Sequence, residues 1–115
     1  MSRQPDTNDL RKVLIAHAQQ QQTLDYKSLT KLLGITPPNS IHQTTQLLEA
    51  CQQDDALLHQ PQLAAIVISK ASDPIPRPGF FQTLKNLGIY SGSEQGAEAQ
   101  MWHQNELEKV FEFYR

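Results

Sequence analysis

The sequence predicts a mainly α, winged-helix-like domain with a small β element. Three observations lead there. Apolar residues recur at helical spacing in five separate stretches. One β-branched run, Ile66-Val67-Ile68, is the clearest strand signal in the chain. The order is helix, short strand, helix, helix, strand, proline loop, helix, helix. A helix-turn-helix followed by a strand and a loop is the layout of a winged helix.

Each element has a local cause. The first helix is expected from about Thr7 to Gln20, capped by Asp6 or Thr7. Asp9 suits the positive end of its dipole. Leu10, Val13, Leu14 and His17 share one face, and Arg11 and Lys12 fall off it. Thr23–Tyr26 favours a very short strand. A second helix then starts at Asp25 or Tyr26 and ends near Leu33, burying Leu29, Leu32 and Leu33. Gly34 stands where a helix end wants a left-handed residue.

The prolines at 37 and 38 break the helical pattern. Ser40 and Gln43 match a capping box, with Thr36 and Pro37 as the rival start. The third helix reaches about Leu57. Ile41, Thr44, Leu48 and Cys51 form one buried track; Leu47, Ala50 and Leu57 form a second. Gln46, Glu49, Gln53 and Asp54 fall on its exposed side. The strand Ile66–Ile68 is short and apolar on both faces, so both should be covered. Residues 71–78 hold three prolines and read as a loop or an irregular edge arm. Pro78-Gly79 turns the chain into a fourth helix, marked by Phe80, Phe81, Leu84 and Leu87 and closed by Gly88. A last helix runs from Glu94 or Ala97 to Tyr114, with a stripe of Trp102, Leu107, Val110, Phe111 and Tyr114.

Size and charge bound the function. The 115 residues are one domain's worth, expected over 7–115, with 1–6 a disordered tail that has nothing to pack. Ten Lys+Arg against twelve Asp+Glu give a formal charge of −2, which argues against a protein that coats polyanions indiscriminately. Fifteen glutamines supply much of the polarity behind a mean hydropathy of −0.52. One cysteine excludes an internal disulfide framework and a multi-cysteine zinc site. No apolar run approaches the roughly 18 residues of a membrane span, and MSRQPDTNDL lacks the apolar stretch of a signal peptide. A cytoplasmic protein with no membrane partner is the expectation.

No catalytic constellation stands out. His17, His42, His59 and His103 are scattered. His103 and Glu106, three apart on one helix, offer two metal ligands without a third and read as an exposed pair. Cys51 lies mid-helix among Glu49, Asp54 and Asp55, which keep a thiol protonated, and reads as a small core residue. Ser69 and Lys70 point to opposite faces of a strand and cannot share a proton. Gly92 and Gly96 have neither a preceding strand nor a following lysine, so no phosphate loop is present. No enzyme activity, cofactor or metal is expected.

Two surfaces remain. Lys27, Lys31, Lys70, Arg77 and Lys85 come from the second helix, the strand end, the proline loop and the fourth helix. In a winged helix such residues touch phosphates together. Asn39, Ser40, His42 and Gln43, which open the third helix, have side chains able to read base edges. Glu49, Asp54 and Asp55 on the same helix oppose them, so weak, salt-sensitive binding to duplex DNA is expected. The second surface is the carboxy-terminal helix. Trp102, Phe111, Phe113 and Tyr114 cannot all share one face, because Phe113 is about 200° from Phe111. If one aromatic track packs on the core, the other is exposed or meets a partner, a second copy in a homodimer or another protein.

Two resemblances sharpen the fold. Thr23–Thr30, Ala65–Lys70 and Gly79-Phe80-Phe81 resemble, in order and spacing over roughly Leu10 to Gly88, the DNA-binding domain of alkylguanine-DNA alkyltransferases. That family's catalytic Pro-Cys-His-Arg is absent: the corresponding strand reads Val67-Ile68-Ser69-Lys70, and Cys51 sits on a helix. The arginine which that family inserts into the duplex is missing too, since Ser40–Leu58 contains no Lys or Arg. Alkyl transfer is not implied. A closer resemblance is to an uncharacterised family of small bacterial proteins, through Tyr26/Leu29, Leu63–Ser69, Pro78–Phe81, Leu87-Gly88 and Trp102 through Tyr114. It covers most of the chain and implies no known activity. Together these readings predict a non-catalytic winged-helix-like module that binds nucleic acid weakly or has a regulatory role, with interaction or dimerisation through the last helix as the alternative.

Overall fold

Residues 4–70 and 74–115 are described by a computed structural model of the chain. Five helices and two very short strands follow the predicted order: α1 (Thr7–Gln19), β1 (Leu24–Asp25), α2 (Tyr26–Leu32), α3 (Ser40–Leu57), β2 (Val67–Ile68), α4 (Pro78–Asn86) and α5 (Ala97–Phe113). The fold is mainly helical with one two-stranded parallel sheet. Of the expected tail, residues 1–3 lie outside the described residues, whereas Asp6 is an ordered cap. Its carboxylate accepts from the Asp9 amide at 3.0 Å, and the Asp9 carboxylate accepts from the Asp6 amide at 2.9 Å. This capping box satisfies two amides that a helix start leaves open. Residues 71–73 of the expected proline loop also lie outside the described residues. Beside them the Ser69 amide donates to the Ile75 carbonyl at 2.9 Å, which joins the loop's two arms.

The core forms around the segment before β2. Leu63–Ile66 is a 3₁₀ turn, so Ile66 belongs to the turn and the strand is only Val67–Ile68. Leu63, Ala65, Ile66 and Val67 are fully buried, in one cluster with Leu10 and Leu14 of α1, Leu29 of α2, Cys51 of α3, Phe81 and Leu84 of α4 and Val110 of α5. The rod α3 is unbroken and packs against α1, α2 and this turn. The ribbon itself, β2, lies beside β1 and α2.

Helix ends account for most departures from the expected pattern. α3 does not begin with a Ser40–Gln43 box. Asn39 is its N-cap, in the left-handed region with φ 62°, and makes no side-chain cap bond. Asn is among the few residues that visit this region readily. Leu32 and Leu57, assigned to buried tracks, are 58% and 79% exposed. Both lie in the last turn of their helices, where periodicity continues after the neighbouring layer has ended. α2 closes on Gly34, at φ 73°, in a Schellman arrangement: Gly34 donates to Lys31 and Ile35 to Thr30. Across the α2–α3 boundary the Thr30 and Thr44 hydroxyls meet at 2.7 Å, both buried.

A set of buried polar side chains joins the helices. The Arg11 guanidinium donates to Asp55 at 2.9 Å, and Asp55 also accepts from the Leu63 amide at 3.0 Å. Glu106 accepts from the Gln62 amide at 2.7 Å, and His103 Nε2 is 2.8 Å from the Ala65 carbonyl. Arg11 therefore has a structural role although it lies off the apolar face of α1. His103 and Glu106 are not the expected exposed pair: both are buried, and each holds a backbone group near the 3₁₀ turn. Burial pushes the Asp55 carboxyl above its ordinary range, against the Leu63 amide and Arg11. Burial likewise pushes His103 below its ordinary range. Cys51 is a core thiol pushed up to about 12 by burial and by Asp55. No helix among the described residues is long and apolar enough to cross a membrane.

Candidate nucleic-acid interface

The parallel pairing explains why cations distant in sequence meet. Leu24 pairs with Val67 and Asp25 with Ile68, so both strands end at the same edge. β1 runs directly into α2, which brings Lys27 and Lys31 to that edge. β2 runs into Ser69-Lys70, and the chain returns there at Arg77. One surface hollow of about 370 Å³ is lined by Asp25, Lys27, Lys31, Lys70 and Arg77, with Ser28 and Ser69 between them. Among the described residues four cations thus share this lining with one carboxylate. Lys85 lies outside this lining and pairs with Glu94 at 3.5 Å.

Asp25 offsets part of the charge. Its carboxylate caps α2 by accepting from the Ser28 amide at 2.7 Å, and Lys70 Nζ approaches it to 3.4 Å. The Ser28 hydrogen bond, helped by Lys70, holds the Asp25 carboxyl below its ordinary range. Lys70 remains 83% exposed, so the pair is a surface ion pair of little strength. Among the described residues Lys27, Lys31 and Arg77 have no ion-pair partner. Ser69 and Lys70 line the same hollow rather than opposite faces, because the strand stops at Ile68.

Arg77 is fixed by Tyr26. Its amide donates to the Tyr26 phenol oxygen at 2.9 Å, and its guanidinium carbon lies 4.6 Å from the centre of the Tyr26 ring. Stacking of this kind orients the cation without neutralising it. Burial pushes the Tyr26 phenol up, so it keeps its proton. A tyrosine at the start of α2 and an arginine just before Pro78 therefore act as a unit.

The residues that open α3 are placed apart from the hollow. Asn39 and His42 are exposed and Ser40 is half-buried, but none of them lines it. Gln43 lines other hollows, with Gln4, Pro5 and Ile35. The acids of α3 also divide: Asp55 is internal and paired, which leaves Glu49 and Asp54 exposed.

The aromatic helix is mostly turned inward. Trp102 meets Tyr90 edge-on, with ring centres 5.6 Å apart, and Phe80 at a tilt, 6.0 Å away, and Phe81 closes the cluster. Phe111 and Tyr114 pack partly buried against the core. Phe113 alone of the four is exposed, at 50%, with its ring against Tyr114. Among the described residues no group of three His, Cys, Asp or Glu is placed to hold a metal ion. Comparisons with protein-family models, curated proteins and solved structures find no match to this chain.

Proposed function

We propose that this chain is a non-catalytic, winged-helix-like module that binds nucleic acid through its phosphates, using the hollow at the ends of β1 and β2. The observation that carries the reading is the convergence of Lys27, Lys31, Lys70 and Arg77 in one hollow where, among the described residues, Asp25 is the single carboxylate. Phosphate contacts supply most of the affinity of non-specific nucleic-acid binding. Four cations on an otherwise acidic protein fit weak, local binding rather than coating. Ser69 in the same lining adds a neutral donor suited to phosphate oxygens.

Fluorescence anisotropy with labelled duplex and single-stranded oligonucleotides at low salt tests this. Dissociation constants in the range of about 1–100 μM are expected, as for non-specific complexes. The double variant Lys27→Ala/Lys31→Ala should weaken both at least several-fold. Absence of binding at about 100 μM, or an unchanged double variant, overturns the proposal.

A second reading, self-association through the end of α5, is favoured by Phe113 with its neighbouring shallow hollow beside Pro61 and Lys109. A strict monomer by light scattering, unchanged by Phe113→Ala, removes it.

A further inference from the structure

A second hollow adjoins the cationic one. It holds about 250 Å³, just under the roughly 300 Å³ at which sites for drug-sized ligands begin. Tyr26 and Arg77 line both hollows, so the stacked pair is their shared wall. The second hollow differs in character. Leu48, Ala64 and Phe80, each at most 6% exposed, make its floor. Thr45 and exposed Glu49 stand at its edge. Glu49 disfavours an anionic occupant there, while the other side of Arg77 favours one.

Building on the phosphate reading, we propose that the two hollows together hold one unpaired nucleotide of a strand. Its phosphate and those flanking it in the strand lie along Lys27, Lys31 and Lys70, and its base enters the apolar hollow past Arg77. A flat, uncharged ring joined to an anion suits this sequence of surfaces: cations, a stacked guanidinium, then an aromatic and aliphatic floor. Aromatic floors take bases with little regard to sequence, because each base has a π-face. A base within a duplex cannot enter without being unpaired, so the site selects single-stranded or frayed nucleic acid.

The test separates this claim from the phosphate reading. Anisotropy compares a labelled single strand with an equally long strand of abasic residues, which keeps every phosphate. The intact strand should bind about tenfold more tightly, the gain expected for stacking of one base. Gly79 gives the matching variant: it lines the apolar hollow, and a Cβ added there meets nothing within 4 Å. Gly79→Leu should bring the two strands to one affinity. Equal affinities in the wild-type protein, with binding still sensitive to Lys27→Ala/Lys31→Ala, overturn the base site and leave the phosphate reading standing. Binding of neither strand overturns both. Displacement of the intact strand by a mononucleotide as efficiently, per phosphate, as by unlabelled strand assigns the site to free nucleotides and overturns the strand.

Discussion

Ionisable side chains gather in two regions, and the two treat charge in opposite ways. Near the 3₁₀ turn, Arg11, Asp55, Glu106 and His103 face inward, and each is hydrogen-bonded to a side chain or to the backbone of another element. At the strand ends, Lys27, Lys31 and Arg77 face solvent without an ion-pair partner among the described residues. Buried charge must be paired, because an unpaired one is strongly destabilising. Solvated charge carries no such penalty and stays available to a ligand. The first region should therefore govern stability and the second binding, with little exchange between them.

The largest effect expected is on the inner region. Asp55→Ala leaves the Arg11 guanidinium without its carboxylate, with only a 3.4 Å bond to the Cys51 carbonyl, and strands the buried Leu63 amide. It should cost about 3 kcal/mol, the low end of the range for a broken buried pair, because 19% of the Arg11 side chain still reaches water. Urea denaturation reads this directly. A loss under about 1 kcal/mol would mean that the inner cluster is not what holds the turn.

A smaller effect comes from pH. His103 is held neutral by burial, so its folded pKa lies below the unfolded value of about 6.5. As pH falls through that value the unfolded chain binds the proton first, and stability falls with pH until the folded pKa is passed. Asp55 acts in the opposite sense lower down: its raised pKa lets the folded state bind a proton first as pH falls toward the ordinary carboxylate range. Urea midpoints for the wild type should drop between about pH 7.5 and 5.5, and His103→Gln should flatten that slope. An equal slope in both proteins removes His103 as its source.

The smallest effect sharpens the contrast from the other side. Lys27→Ala/Lys31→Ala should leave stability within about 0.5 kcal/mol of wild type, as for ordinary surface substitutions. A larger loss would show that the outer region is structural as well.

Much of this architecture is legible in the sequence. The apolar period, the Asp6/Asp9 cap, Gly34 and Gly88 at helix ends and the β-branched run give the element order, because each is a local signal. The cations were also nameable, since Lys27, Lys31, Lys70 and Arg77 follow from the layout. What was not legible depends on distant partners. Arg11 lies off the apolar face of α1, and only Asp55, 44 residues away, explains its position. His103 and Glu106 look like a solvent pair until the 3₁₀ turn is placed against them. The Tyr26–Arg77 contact spans 51 residues and follows from the parallel register, which no local signal encodes. Trp102 and Tyr114 read as interface aromatics because the sequence does not show that α4 and the core already cover them.

The salt dependence of single-strand binding tests the outer region most directly. The logarithm of the association constant should fall with the logarithm of salt concentration with a slope of about −2 to −3, at about −0.7 for each of three or four neutralised phosphates. Lys27→Ala/Lys31→Ala should make the slope shallower by about 1.4. A wild-type slope near zero, or the same slope in the double variant, would contradict the claim that these lysines hold phosphates.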